Sequence, residues 1–285
     1  SSKPEGTTYQ GWGYYGSYII TGTSGYNYAY SSGYCADYYY IPTILKTVII
    51  TNATIIPYGA FQNCDFIENI TVPSTVTKIS NFAFKNCKGI TNINLGTALA
   101  SIGTYAFADC SALETITIPN TVENIGSYAF NNCSSLSRMN SSTDGNIVLP
   151  TGITTVPSYA FAGCASILSV QLPKNLATIQ NNAFENCVGI TELTLPNGLQ
   201  TIGDSAFRNV SIKTIVVPDT VTSIGLGAFY GCPLESITLP FVGKTGKTDQ
   251  TSESVFGYIF GKYSSSASSK PEGTTYQGWG YYGSY

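Results

Sequence analysis

Cysteines recur at Cys64, Cys87, Cys110, Cys133, Cys164, Cys187 and Cys232, and this row of thiols is the feature of the sequence richest in chemical options. Thiols at fixed spacing can form disulfides, hold a metal, or fill an apolar row. Metal binding is poorly served, because Cys-x-x-Cys is absent and the chain has no histidine. At the equivalent place in one unit stands Val210, so the row reads as a buried ladder of free thiols. Cys35 lies outside it, as a lone thiol or an intermolecular bridge. Loss of histidine also removes the commonest general base near neutral pH, and the acidic residues are scattered, so no carboxylate pair takes acid and base roles. No catalytic, cofactor-binding or metal site is expected, and no enzyme activity.

Charge and hydropathy narrow the partners further. Only 10% of residues are charged and the net charge is -3, so the basic surface that neutralises phosphates is missing and nucleic acid is excluded. No apolar run approaches the roughly 18 residues that span a bilayer, and runs such as Leu45 to Ile50 are strand-sized, so membrane insertion is excluded too. The wealth of Thr, Ser, Asn, Gly, Ile and Tyr favours strands and turns.

The elements that position the thiols follow from a short repeat. Ala-Phe recurs at Ala60-Phe61, Ala83-Phe84, Ala106-Phe107, Ala129-Phe130, Ala160-Phe161, Ala183-Phe184, Ala206-Phe207 and Ala228-Phe229, mostly 23 residues apart, with Cys three residues on. An apolar triplet follows, often closed by Pro, as in Ile67, Ile70, Val72, Pro73 or Leu113, Ile116, Ile118, Pro119. Its last two members alternate with polar residues, as a half-buried strand requires, and Pro ends the ladder. A second apolar pair, such as Val76 and Ile79, predicts a second extended segment. Before each Cys, and before Val210 in the one exception, stands Asn63, Asn86, Asp109, Asn132, Gly163, Asn186, Asn209 or Gly231, the residues that tolerate positive φ and would end a short helical turn. One such unit cannot cover its own apolar face, so the units must stack about 4.8 Å apart. Nine strand triplets from Leu45 to Leu239 then make a rod roughly 40 Å long. The predicted fold is an α+β repeat solenoid with short strands and helical turns.

On these motifs the sequence resembles the BspA-like leucine-rich repeats of secreted and surface-attached microbial proteins. The likeness runs from Ile44 to Pro240, with Thr51 and Gly96 in place of Pro and about eight extra residues around Asn140 to Asn146. It implies a curved, right-handed leucine-rich-repeat coil, an extracellular or cell-surface location, and roles in adhesion, host contact or surface architecture.

A second period is longer. Ser268 to Tyr285 repeat Ser1 to Tyr18 without a change, an offset of 267 residues. This is either an engineered duplication or the mark of a tandem array of 267-residue modules, and the array is the expectation adopted here. Residues 1–43 then form a Tyr/Gly/Ser-rich β-type spacer or cap, 44–240 the solenoid, and 241–285 the remaining spacer. With eleven Tyr in its first forty residues the spacer is too aromatic for a disordered segment. Tyr18 to Ile20 and Tyr26 to Tyr30 read as a hairpin, and Trp12, Tyr14, Tyr15, Trp279, Tyr281 and Tyr282 as contacts between modules.

The outward face of the first strand carries Asn69, Thr71, Asn92, Asn94, Thr115, Thr117, Ser169, Gln171, Glu192 and Thr194, with Arg138 and Asn140 between them. Small polar side chains make it a candidate binding face, or simply a stable polar sheet. Expected partners are other protein modules, copies of this chain among them, and host or matrix proteins or glycans. The functional expectation is a non-catalytic extracellular or cell-surface protein for adhesion or protein contact, with a self-associating fibre or stalk as the alternative.

Overall fold

A computed structural model describes residues 7–11, 38–140, 145–245, 253 and 256–261. Two series of parallel strands alternate along the solenoid. The first comprises Thr47–Ile49, Asn69–Thr71, Asn92–Asn94, Thr115–Thr117, Arg138–Met139, Asn146–Val148, Ser169–Gln171, Glu192–Leu193, Thr214–Val216 and Ser236–Thr238. Its hydrogen-bonded ladders form sheets of two, six and two strands. The second comprises two-residue strands in two four-stranded sheets, Ile55–Ile56 to Asn124–Ile125 and Thr155–Val156 to Ser223–Ile224. Within each sheet a strand pairs in parallel with that of the next coil, for example Ile93 beside Ile116 and Ile79 beside Ile102.

The turn around Ala-Phe corrects the α+β class, because it is not helical. Alternate N–H groups are shared out between two partners. Those of Gly59, Phe61 and Asn63 donate to carbonyls of Asn81, Ala83 and Lys85 in the next coil, at 2.7 to 3.1 Å. Those of Ala60, Gln62 and Cys64 donate three residues back, to Pro57, Gly59 and Phe61. An α-helix would direct all of them four residues back inside the segment, leaving no bond to join the coils. The architecture is thus a β-solenoid, with the right-handed crossing usual for parallel strands. Among the described residues the one helical element is a 3₁₀ segment, Phe256–Phe260, outside the repeats.

Reversing direction twice puts two residues per turn at positive φ. One is the residue before Cys, as its Asn, Asp and Gly preference indicates: φ is 62° at Asn63, 61° at Asp109 and 58° at Asn209. The other, four residues earlier, is Gly59, Phe82, Tyr105, Tyr128, Tyr159, Asn182, Ser205 or Gly227. Four of these are bulky aromatics, for which left-handed backbone costs about 1 to 2 kcal/mol each. Ring stacking offsets it: Tyr105, Tyr128 and Tyr159 lie 4.4 Å apart, nearly parallel.

Inside, the Phe side chains of successive turns stack from Phe61 to Phe229 at 5.0 to 5.8 Å, with no break at the irregular unit. From Phe84 onward they are fully buried, as are Cys87, Cys110, Cys133, Cys164 and Cys187. Rows of Ile, Leu and Val close the core on the strand side.

Nine strands were expected in the first series, and the described residues hold ten. The eight surplus residues contribute Asn146–Val148, which slips between Arg138–Met139 and Ser169–Gln171. The turn edge stays closed there, with Phe130 N–H on the Ala160 carbonyl at 2.8 Å. The second series instead breaks into its two sheets at this unit, between Asn124–Ile125 and Thr155–Val156.

Outside the coils, Thr7–Gly11 pairs antiparallel with Tyr38–Pro42. At the far end the 3₁₀ segment covers the last turn, where Gly227 and Phe229 donate to carbonyls of Tyr258 and Ile259 at 3.0 and 2.9 Å. Tyr258 and Ile259 are buried there. Cys35, the expected hairpin of residues 18–30, and the aromatics Trp12, Tyr14, Tyr15, Trp279, Tyr281 and Tyr282 lie outside the described residues.

Candidate binding face

Side chains alternate inward and outward along a strand, so the polar members of the first series share one face. Ladder registry aligns them in two rows. One runs through Asn92, Thr115 and Arg138, and again through Asn146, Ser169 and Glu192. The other sets Asn94 beside Thr117 and Val148 beside Gln171. Asn69 and Thr71 lie beside Thr47 and Ile49 at the start of the solenoid. Asn69, Thr71, Asn92, Asn94, Thr117, Gln171, Glu192 and Thr194 are exposed, while Thr115 and Ser169 are half-buried.

The inserted strand makes this face irregular. Asn140, expected on the face, is instead half-buried and holds the rung: its Nδ2 donates to the Val148 carbonyl at 3.1 Å and its Oδ1 accepts the Ile118 N–H at 2.8 Å. Ser169 Oγ donates to Asn146 Oδ1. Beside them lies an open depression of about 450 Å³, lined by Asn146, Val148, Ser169, Gln171, Lys174 and Thr194 among others. Sequence reading missed Asn146, Val148 and Lys174. The only signal was a spacing of 31 residues between Phe130 and Phe161 where 23 is usual, which does not say that the surplus pairs as a strand.

The thiols have no part in this face. Cys87 Sγ donates to the Phe61 carbonyl of the preceding coil at 2.9 Å, and the same bond recurs from Cys110 to Phe84 and from Cys187 to Phe161 at 3.0 Å. Burial pushes the Cys187 thiol up to about 12, and burial aided by the Asp65 carboxylate does the same at Cys64. A thiol held neutral is a poor nucleophile and a poor ligand. All seven thiols of the row are free, and among the described residues no His/Cys/Asp/Glu cluster could hold a metal ion. Among the described residues four carboxylates form ion pairs, such as Lys46 with Glu68 at 2.8 Å and Lys213 with Glu235 at 2.9 Å.

The model of the BspA type leucine rich repeat region matches in six copies, over residues 54–146 and 140–252. The chain belongs to the BspA-type leucine-rich repeat family. Proteins of this family are surface-associated, and leucine-rich repeat domains generally mediate protein contact and are typically non-catalytic. No curated protein matches the sequence. Among solved structures, a leucine-rich repeat protein from Bacteroides ovatus is 30% identical with a TM-score of 0.57; the match covers 80% of this chain and 66% of that one. This BspA-type chain therefore spans just under two thirds of that relative. The T. pallidum leucine rich repeat protein is 26% identical over 57% of this chain and 76% of its own, with a TM-score of 0.49. A leucine rich cell surface protein from Faecalibacterium prausnitzii is 19% identical over 74% of this chain and 82% of its own, with a TM-score of 0.34. Among the described residues no helix is long and apolar enough to cross a membrane.

Proposed function

We propose that this chain is a non-catalytic extracellular or cell-surface module that binds a partner through the outward face of its first strand series. The observation that carries the reading is the face itself: ten strands of small, mostly neutral polar side chains, interrupted by an inserted strand and an adjoining depression. Amide and hydroxyl groups there offer donors and acceptors at strand spacing, and Lys174 adds one cation. Such a surface suits a host or matrix protein, or a glycan. Adhesion is the role that fits a surface-associated family with an interaction-type repeat.

Replacing Thr117, Gln171 and Thr194 together by Glu tests this, with retention measured on immobilised matrix proteins and a glycan array. The expected result is a loss of at least about tenfold in affinity with unchanged melting. Full retention by the triple variant would move binding off this face.

Apolar surface left at the solenoid ends favours a second reading, a structural module of a self-associating fibre or stalk, while the exact recurrence of eighteen residues suits both readings. In it residues 1–43 and 241–285 are spacer, and Trp12, Tyr14, Tyr15, Trp279, Tyr281 and Tyr282 mediate contact between modules. Copies of the chain are then its partners.

A further inference from the structure

Each inward row of the first strand series starts and ends on an apolar side chain that its own chain leaves partly uncovered. The row of Ile67, Ile90 and Leu113 begins at Leu45 and ends at Leu234. That of Ile70, Ile93 and Ile116 begins at Val48 and ends at Ile237, and that of Val72, Leu95 and Ile118 begins at Ile50 and ends at Leu239. Of the half-buried residues packed on the core, all but Leu172, Leu193 and Leu226 sit at one end or the other. Large exposed apolar side chains also concentrate there, with Ile44 at 83% and Ile49 at 68% in the first coil and Val242 at 56% beyond the last strand.

The backbone matches the side chains. Among the described residues no strand of the first series lies beyond Thr47–Ile49 or beyond Ser236–Thr238, and each pairs on its inner side alone, with Asn69–Thr71 and Thr214–Val216. The covering 3₁₀ segment is bonded to the last turn through Gly227 and Phe229, while Ile224 N–H donates to the Lys244 carbonyl, and these bonds leave the Ser236–Thr238 edge out.

We propose that a second copy of this chain adds its Thr47–Ile49 edge to the Ser236–Thr238 edge of the first, in parallel, head to tail. This rests on the self-association reading above and names its contact. Continuing the solenoid register sets Thr47, Val48 and Ile49 of one copy beside Ser236, Ile237 and Thr238 of the other. Leu45 then covers Leu234, and Ile50 covers Leu239, as any coil covers the next. Charge agrees: Lys213 pairs with Glu235 and Lys46 with Glu68, so the junction sets Glu235 against Lys46 and extends an alternating row. A heterologous contact of this kind does not close on itself and produces a filament with one continuous strand face. In a tandem array the next module is supplied on the same chain, because the repeat resumes at Ser268, seven residues after Gly261.

Light scattering on the full chain at low ionic strength, up to roughly 100 µM, tests the contact. Mass should rise with concentration. The pair Ile49→Lys with Thr238→Lys puts like charges directly opposite and should weaken association at least about tenfold, while Ile49→Lys with Thr238→Glu should restore it to within about threefold. Both positions are exposed in the single copy, and matching circular dichroism melts would show that each variant folds. Association indifferent to both variants overturns the edge contact while leaving self-association standing. A constant one-copy mass overturns both.

Discussion

The thiol of Cys133 donates to the carbonyl oxygen of Phe107 in the preceding coil at 3.0 Å. That carbonyl also accepts the Cys110 N–H of its own turn, so one oxygen joins the two coils. Burial raises the pKa values of Cys64, Cys187 and Cys232 to about 12 from the usual 9.0, and pushes those of Cys87, Cys133 and Cys164 up as well. An acid with a raised folded-state pKa keeps its proton after the unfolded chain has lost it. Below pH 9.0 the two states bind alike; from there to about 12 the unfolded state binds fewer protons, and stability falls as pH rises. The slope approaches about 1.4 kcal/mol per pH unit for a fully buried thiol raised this far, such as Cys187. Denaturant titrations at about pH 8 and about pH 10.5 should therefore differ, and Cys187→Val should shrink the difference by about 1 to 2 kcal/mol. An equal difference in the variant would mean that other groups cause the alkaline loss.

Phe130 is fully buried between Phe107 and Phe161, with ring centroids at 5.4 and 5.3 Å. Phe130→Ala removes two stacking contacts and leaves a cavity that rigid neighbouring coils fill poorly. The expected cost is about 3 to 5 kcal/mol by denaturant titration. A loss below about 1 kcal/mol would contradict the continuity of the ring stack across the irregular unit.

The two positive-φ columns respond oppositely to glycine and to its loss. Ser205 has φ 52°, so Ser205→Gly relieves left-handed backbone and should stabilise by about 0.5 to 1 kcal/mol. Gly163 has φ 77°, and a Cβ there would meet Asn132 Oδ1 at 2.5 Å. Gly163→Ala should therefore cost about 2 kcal/mol or more, from strain and crowding together. Thermal melts of the two variants that move in the same direction would refute the assignment.

The 23-residue period, the inward Phe, Cys and aliphatic rows, and positive φ before each Cys were all legible in the sequence. Each rests on a residue type at a fixed local spacing: apolar against polar, or Asn, Asp and Gly where a side chain must tolerate left-handed backbone. What the turn is could not be read locally. Whether the N–H groups of Gly59 and Phe61 close a helix or cross to Asn81 and Ala83 depends on a coil 22 residues away, and that choice alone separates a β-solenoid from the α+β fold expected. Positive φ at Phe82, Tyr105, Tyr128 and Tyr159 was equally hidden, because the residue type argues against it and only a stacked ring of a neighbouring coil compensates. The surplus near Asn140 was visible as length, yet its becoming a tenth strand beside a depression required Ile118 and Val148 to meet the same amide. Local spacing determines which way a side chain faces, whereas hydrogen bonds and rings with partners in another coil are assigned only when the coils stack.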